Sequence, residues 1–369
     1  MTEPAQRDRP LVIINHLIER PNTVTGITRY LFSLLAVLVA RRQYRYVLLT
    51  TWDADRLPAE LKHDDLAVVS LPFVRSLPLN LLFQTIMLPY YVRKYNAVAE
   101  FNCAPMACFL PFWRRLITVH DLYVLTLPQL QRLRDRIWWR VLFPAGVWAA
   151  QTIVCVSDST RQKLAHYFPY AAKKASVVYE AGALMGAAEP PALARRRIGL
   201  YVGNIAPSKN IGLLIEALAL LEREGDPVEI VFVGQDNTGA IEAAAQKFGL
   251  RNPVQSAGAL SDAELAGLYD QASFLVTTSL DEGFCLPVVE AHSRALPVVC
   301  PDIPIYREIA AEGGLYFPAG DAQALAGRLR EVLQDDTLRA ALSERAFRNA
   351  KRFSWQTAAI EVEKLLAGN

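Results

Sequence analysis

The sequence predicts an α/β protein built from two doubly wound, Rossmann-like domains in tandem. Three observations carry that prediction. Short β-branched apolar runs alternate with longer stretches of helical period; the runs are apolar almost throughout; and the series pauses and restarts after Gly182. Near-continuous apolar strands separated by helices belong to parallel sheets covered on both faces. A length of 369 residues accommodates two such domains, and a hydrophobic share of 52% provides for both cores.

In order, LVIINH (11–16), YVLLTT (46–51), AVVSL (67–71), AVAEF (97–101), LITVH (116–120), TIVCVS (152–157) and SVVYE (176–180) read as strands of a first domain, 1–182. The Pro- and Arg-rich segment GAAEPPALARRR (186–197) reads as the linker. A second domain, 183–350, then takes IGLYVG (198–203), VEIVFVG (228–234), SFLVTTS (273–279), PVVCPD (297–302) and GLYF (314–317), and 351–369 remains as a terminal segment. Open parallel sheets bind ligands beyond the carboxyl ends of their strands. The strand-to-helix loops are therefore where chemistry is expected, with the two domains facing a central cleft.

The formal net charge is only +2, which argues against a dedicated nucleic-acid binder. The sum hides a distribution: 22 basic against 13 acidic residues over 1–182, and 17 against 24 over 183–369. Such asymmetry suggests that the first half meets an anionic surface or ligand. Five cysteines without a Cys-x-x-Cys pair support neither a zinc site nor a disulfide framework, and fit a reducing cytosol. The start MTEPAQRDRP is too polar for a signal peptide. The most apolar region, Val141 to Val156, is broken by Pro144, Gly146 and Gln151 and falls short of the roughly 20 residues that span a bilayer.

Four loops stand where chemistry is expected. In SLDEGFCLPVVEA (279–291), Gly283 relaxes the backbone and Pro287 suits the first turn of a helix that runs on to Ala295. Backbone N–H groups of Phe284, Cys285 and nearby residues would make an anion site suited to a diphosphate. Glu282 and Glu290 flank it; carboxylates there repel phosphate and suit sugar hydroxyls instead. On spacing alone they read equally as a helix-capping acid and a solvated one. In YVGNIAPSKNIGLLIEAL (201–218), Lys209 precedes a helix with Leu213, Leu214, Ala217 and Leu218 on one face, and is placed to donate to phosphate as a point charge. A lysine before a helix is also commonly just solvated. In LITVHDLY (116–123), His120 and Asp121 emerge from a buried strand, as a functional pair or as helix caps. In RPNTVTGITRYLFSLLAVL (20–38), Gly26 permits close backbone approach to a ligand, or simply makes a turn.

Where these pieces meet, the chain resembles a family 4 retaining glycosyltransferase of the two-domain GT-B architecture, over nearly its whole length. Glu282 and Glu290 match that family's E-x7-E signature, VGNIAPSKNI its phosphate-lysine loop, TGITRY its N-terminal glycine loop and TVHDL its sugar-facing histidine. VCVSDSTRQKL (154–164) and FSWQTAA (353–359) also resemble family landmarks. The resemblance implies that Glu290 holds the nucleotide ribose and Glu282 the transferred sugar. Lys209 and the backbone from Gly283 to Leu286 would hold the diphosphate, with Gly203 and Asn204 in the same donor loop. His120 would face the sugar, with Asp121 on the acceptor side, and Gly26 would line the phosphate. The nucleobase would lie near GALSD (258–262), around Leu260, and the helix after Phe353 would cross back to the first domain.

Two departures stand out. Relatives often place an Arg beside the Lys, where this chain has Asn204 and Ser208, and YEAGAL (179–184) replaces the usual Asn-Gly turn. The resemblance further implies front-face, retaining transfer of a hexose from a nucleotide sugar, with GDP-mannose or a GDP-deoxyhexose as the preferred donor, without a metal or cofactor. Asp53-Ala54-Asp55, the one Asp-x-Asp, follows an early strand and reads as solvated. Rival readings within the same fold are a nucleotide-sugar epimerase and a catalytically silent sugar-nucleotide binder.

For the acceptor, QRLRDRIWWR (131–140) and Trp113-Arg114-Arg115 form two basic, aromatic clusters in the first domain. They suit an anionic membrane at its cytoplasmic face, and so a lipid-linked acceptor. The likeness to mannosyl- and rhamnosyltransferases implies a glycan or lipid-linked acceptor in surface-polysaccharide synthesis. The alternative is that Trp138, Trp139 and Leu142 are core and the arginines a solvated face.

Overall fold

The computed structural model describes residues 9–105, 113–182, 197–252 and 254–368, apart from the side chains of Arg134, Asp135 and Trp138. The expected linker, up to residue 196, lies outside the described residues. The chain forms two compact units, one of Met1–Leu125, Gln131–Glu180 and Ser354–Asn369, the other of Thr126–Leu130 and Ala181–Phe353.

The first unit contains β1 (Leu11–His16), α1 (Gly26–Arg41), β2 (Arg45–Thr50), β3 (Leu66–Ser70), α2 (Leu77–Lys94), β4 (Ala99–Asn102), β5 (Arg115–Val119), α3 (Tyr123–Thr126), α4 (Leu133–Ala149), β6 (Thr152–Cys155), α5 (Asp158–Tyr167) and β7 (Ala175–Val177). Its described strands make one parallel sheet in the order β3-β2-β1-β4-β5-β6-β7. The order reverses between β1 and β4, which is where such sheets open a crevice. Thr25 starts α1, its side chain accepting from Thr28 N, and Leu31, Leu34, Leu35 and Leu38 press one face of the helix onto Val12, Ile14 and Leu48.

Register decides which helices share a face. Ile13 pairs with Glu100, and Glu100 with Arg115, so these three side chains stand on one side of the sheet together with Ile117 and Val119. Leu88, Tyr91 and Val92 of α2 pack on Ile13 and Val47, while Phe143 and Val147 of α4 pack on Ile117 and Ile153. Thus α2 and α4 cover one face and α1 the other. On the α2/α4 face Arg115 and Glu100 form an ion pair of 2.9 Å with side chains only 1% and 0% exposed. Trp113 Nε1 donates to the same carboxylate at 2.7 Å, and Asn15 Nδ2 reaches both Glu100 and Gln84. The cluster Trp113-Arg114-Arg115 is therefore an internal network rather than the basic surface its composition suggests. Arg115 neutralises a buried carboxylate, and Arg114 donates to the Leu365 carbonyl at 2.7 Å.

The second unit contains β8 (Ile198–Val202), α6 (Ile211–Arg223), β9 (Glu229–Val233), α7 (Ala240–Phe248), β10 (Gln255–Gly258), α8 (Asp262–Gln271), β11 (Phe274–Val276), α9 (Leu286–Ser293), β12 (Val298–Pro301), α10 (Pro304–Ile309), β13 (Gly314–Phe317), α11 (Ala322–Gln334) and α12 (Asp336–Ala350). Its sheet is again parallel, ordered β10-β9-β8-β11-β12-β13, with the reversal between β8 and β11. The strand β10 lies in a stretch the sequence does not mark: its QSAG has no apolar run, because it is an irregular edge strand with Gln255 and Ser256 exposed. The helix α9 also stops short of the expected Ala295. Arg294 N returns to the Ala291 carbonyl and Ala295 takes a left-handed φ of 53°, which ends the turn.

The terminal helix α13 (Trp355–Ala367) belongs to the first unit. Ala358, Ala359, Val362 and Leu366 join the core under α1, and Arg41 pairs with Glu363 at 2.9 Å.

Candidate functional site

In the second unit the candidate residues converge at the reversal between β8 and β11. After β8, Gly203 takes φ 147° against Gly234, where a Cβ would come within 2.2 Å of the Gly203 carbonyl oxygen; only glycine at 234 permits that approach. Asn204 uses its Oδ1 to accept from Gln235 N at 2.9 Å, so the residue that stands at an Arg position of relatives holds the neighbouring loop. A single 3-10 turn, Pro207–Lys209, then delivers Lys209. Its backbone is fixed from the loop after β11: Thr278 Oγ1 donates to the Lys209 carbonyl at 2.8 Å, and Leu280 N to the Ser208 carbonyl at 2.8 Å.

The Lys209 ammonium is ion-paired with the Glu282 carboxylate. Burial alone would weaken the charged amine, but the Glu282 charge outweighs it and holds the ammonium above the ordinary lysine range. Gly283 and Phe284 follow, with Phe284 set edge-on to Phe353 at 5.5 Å. Cys285 adopts a left-handed φ of 73° directly before Leu286 opens α9 with Pro287 second; burial and then the Glu282 charge push its thiol up to about 12. Glu290, on the buried side of α9 and 5% exposed, accepts from Tyr269 OH at 3.0 Å. Leu260 lies beyond β10, two strands removed from β8 in the sheet, beside the capping box of Ser261 and Glu264.

In the first unit, His120 follows β5. Its Nδ1 is 2.9 Å from Glu180 Oε1 and its Nε2 is 2.9 Å from the Cys103 carbonyl oxygen. Burial would lower its basicity; the hydrogen bond and charge of Glu180, helped by Cys103 and Asp121, raise it overall. Asp121 Oδ1 accepts from Tyr123 N at 3.2 Å, at the start of α3. Gly26 begins α1, and a Cβ there would meet nothing within 4 Å. Asp53 accepts from Asn22 Nδ2 at 2.8 Å in a surface turn. Among the described residues no group of three His, Cys, Asp or Glu is arranged to hold a metal ion.

Sequence reasoning passed over Glu180, Tyr269 and the Cys103 carbonyl. Glu180 carried a signal, since it sits in YEAGAL where the family turn is altered; Tyr269 is marked only by its phase on α8.

Both halves of the chain match known families. The family model described as Glycosyltransferase Family 4 matches residues 24–181, and that described as Glycosyl transferases group 1 matches 188–349. O-antigen chain mannosyltransferase B of Escherichia coli is 27% identical over 372 residues, spanning 93% of this chain and 97% of that protein. GDP-mannose:cellobiosyl-diphosphopolyprenol alpha-mannosyltransferase of Komagataeibacter xylinus is 30% identical over 253 residues, 64% of this chain and 61% of that protein. The crystal structure of WaaG, a glycosyltransferase involved in lipopolysaccharide biosynthesis, superposes with a TM-score of 0.76 over 97% of this chain and 100% of that one, at 18% identity, a likeness of fold. The two family models lie head to tail, one on each half, and on that ground the chain belongs to family 4 of the glycosyltransferases, with the two Rossmann-like domains of the GT-B architecture.

Proposed function

We propose that this glycosyltransferase moves a hexose, mannose or a deoxyhexose, from a nucleoside-diphosphate sugar to a glycan or lipid-linked acceptor in surface-polysaccharide synthesis, with retention at the anomeric carbon and without a metal. One observation carries the donor reading: Lys209 and Glu282 meet at the β8/β11 reversal, next to the start of α9. As the sugar–phosphate bond breaks, charge builds on the diphosphate oxygens. An ammonium and helix N–H dipoles already in place stabilise it without reorganisation. In this reading Lys209 exchanges Glu282 for the diphosphate, which frees the carboxylate to accept from sugar hydroxyls. Glu290, held by Tyr269, accepts from the ribose. The mannosyltransferase relatives support mannose and a GDP-linked donor.

The acceptor reading includes peripheral contact with an anionic membrane at its cytoplasmic face. Among the described residues no helix is long and apolar enough to cross a membrane. What supports contact is the outer side of the α2/α4 layer. Leu133, Ile137, Val141 and Trp148 are exposed along α4 among Arg132, Arg136 and Arg140, while Leu79, Leu82, Ile86 and Tyr90 are exposed along α2. No carboxylate occurs between Leu66 and Ala99, where Arg75, Arg93 and Lys94 supply the charge. Apolar stripes rimmed by cations are what an anionic bilayer surface binds.

A thermal-shift panel of GDP, UDP, dTDP and ADP with their sugar conjugates tests the donor, since a ligand of the folded state raises its stability. Transfer is then measured with and without EDTA, and the product anomer is read by NMR. A wild-type protein that binds a nucleotide sugar but releases no nucleoside diphosphate with any acceptor would sink the enzyme reading. An inverted product, or loss of turnover in EDTA, would sink the corresponding part. Flotation with anionic liposomes at low and high salt tests the membrane contact, which fails if binding is absent or unmoved by salt.

A further inference from the structure

The chain leaving β7 runs through Glu180, Ala181 and Gly182; Glu180 touches His120 in the first unit and Gly182 touches Glu290 in the second. At one end Glu180, 4% exposed, meets His120 Nδ1 while the Cys103 carbonyl meets His120 Nε2, both at 2.9 Å. A carboxylate and a backbone carbonyl only accept hydrogen bonds. With Glu180 as a carboxylate, both ring nitrogens carry hydrogen, which makes His120 an imidazolium neutralised by Glu180. The other groups around the ring leave that conclusion intact. Tyr30 lies edge-on at 4.8 Å with its hydroxyl 3.2 Å from Thr118, the Cys103 thiol is 3.3 Å from the Asn15 carbonyl, and Asp121 follows in the chain.

At the other end, a Cβ on Gly182 would come 2.8 Å from Glu290 Cγ and 3.5 Å from the Glu290 backbone nitrogen and Cα. Gly182 does not have a left-handed φ, so glycine is required here for room. With Tyr269 donating to the carboxylate, the Glu290 side chain is confined between a hydrogen bond and a bare backbone.

We propose that Glu180 and Gly182 are positioning residues, Glu180 holding His120 as a doubly donating cation and Gly182 holding the rotamer of Glu290. The functional weight of this inference rests on the roles proposed for His120 and Glu290; its first readout does not. Held in this way, His120 supplies a fixed charge and ties the Cys103 carbonyl, and is not a general base.

The test separates the two ends in the full-length protein. Histidine-ring NMR of Glu180→Gln is expected to show His120 titrating at least about one unit, or tenfold in proton affinity, below the wild type. In the same variant kcat falls more than the donor KM moves, the basic limb of the rate profile shifts to lower pH, and Glu180→Asp restores part of both. Gly182→Ala is expected to leave the His120 titration in place and to weaken binding of the best nucleotide among GDP, UDP, dTDP and ADP by about tenfold, the equivalent of one hydrogen bond. An unchanged His120 titration in Glu180→Gln overturns the first assignment, and unchanged nucleotide affinity in Gly182→Ala overturns the second. If the wild type binds no nucleotide, the donor reading and the Gly182 assignment fail together, while the His120 titration still decides the Glu180 assignment.

Discussion

Lys209 and Glu282, separated by more than seventy positions in the sequence, form an ion pair at the point where the order of the second sheet reverses. Their side chains are 29% and 13% exposed, so water still reaches them. Such a pair adds at most about 1 kcal/mol to stability. Its worth lies in keeping a cation where a diphosphate would arrive. Lys209→Met is therefore expected to leave the unfolding midpoint nearly unchanged while lowering kcat by about two to three orders of magnitude, the usual cost of losing a preorganised donor. Stopped or continuous assay of nucleoside diphosphate release checks this. Near wild-type turnover in a folded Lys209→Met would remove Lys209 from the mechanism.

The ion pair of Glu100 and Arg115 has the opposite character. It is sealed inside the first unit, with Trp113 and Asn15 completing the carboxylate's hydrogen bonds. Removing one partner strands a buried charge, so Arg115→Met should cost about 3–5 kcal/mol in urea unfolding. The double change Glu100→Met with Arg115→Met should recover much of that loss, because no charge is then left unpaired. Equal and additive losses in the two single variants and the double would show that the pair is not acting as a unit.

This pair also shows where sequence reading stops. The central strands were legible because their apolar runs are long and buried on both faces, and the loops at their carboxyl ends followed from sheet physics. β10 was not legible: an edge strand with Gln255 and Ser256 in water needs no apolar signal. Trp113-Arg114-Arg115 was misread because composition does not distinguish an arginine facing lipid from one neutralising a buried Glu100. The Lys209–Glu282 and His120–Glu180 pairs depend on which loops the topology brings together, and no local pattern carries that.

Stability should fall on acidification, and two histidines fix the window. His16, fully buried beside Thr50, is lowered by burial to about 4, and His292, which accepts from Asn349 Nδ2, is lowered by burial to about 3. Both are neutral in the folded chain, but the unfolded chain takes up protons at the ordinary imidazole value near 6.5. The folded state therefore loses stability from about pH 6.5 downward, until the folded groups protonate. His120 works in the other direction: its raised value adds stability that is complete below the ordinary imidazole range and disappears as pH climbs through the raised one. Urea midpoints at pH 7.5, 6 and 5 should decline, and His292→Leu should flatten the decline. A slope unaltered in both His292→Leu and His16→Leu would assign the acid sensitivity to other groups.

The terminal helix is expected to be a structural part of the first unit. Ala358, Ala359, Val362 and Leu366 share a core with Leu31, Leu35 and Leu38 of α1, and Arg41 and Arg114 reach across to Glu363 and the Leu365 carbonyl. Trp355 adds a ring contact to Tyr30 at 5.8 Å, and Tyr30 is also the edge-on neighbour of His120. Ending the chain after Phe353 would uncover the apolar face of α1, at about 25 cal/mol for each Å² of apolar surface returned to water. Hydrogen exchange in the truncated protein should speed up across α1 and β1 while α6 and β8, in the other unit, stay protected. Uniform loss of protection in both units would mean that they unfold as one, and unchanged protection of α1 would mean that the helix is dispensable to the fold.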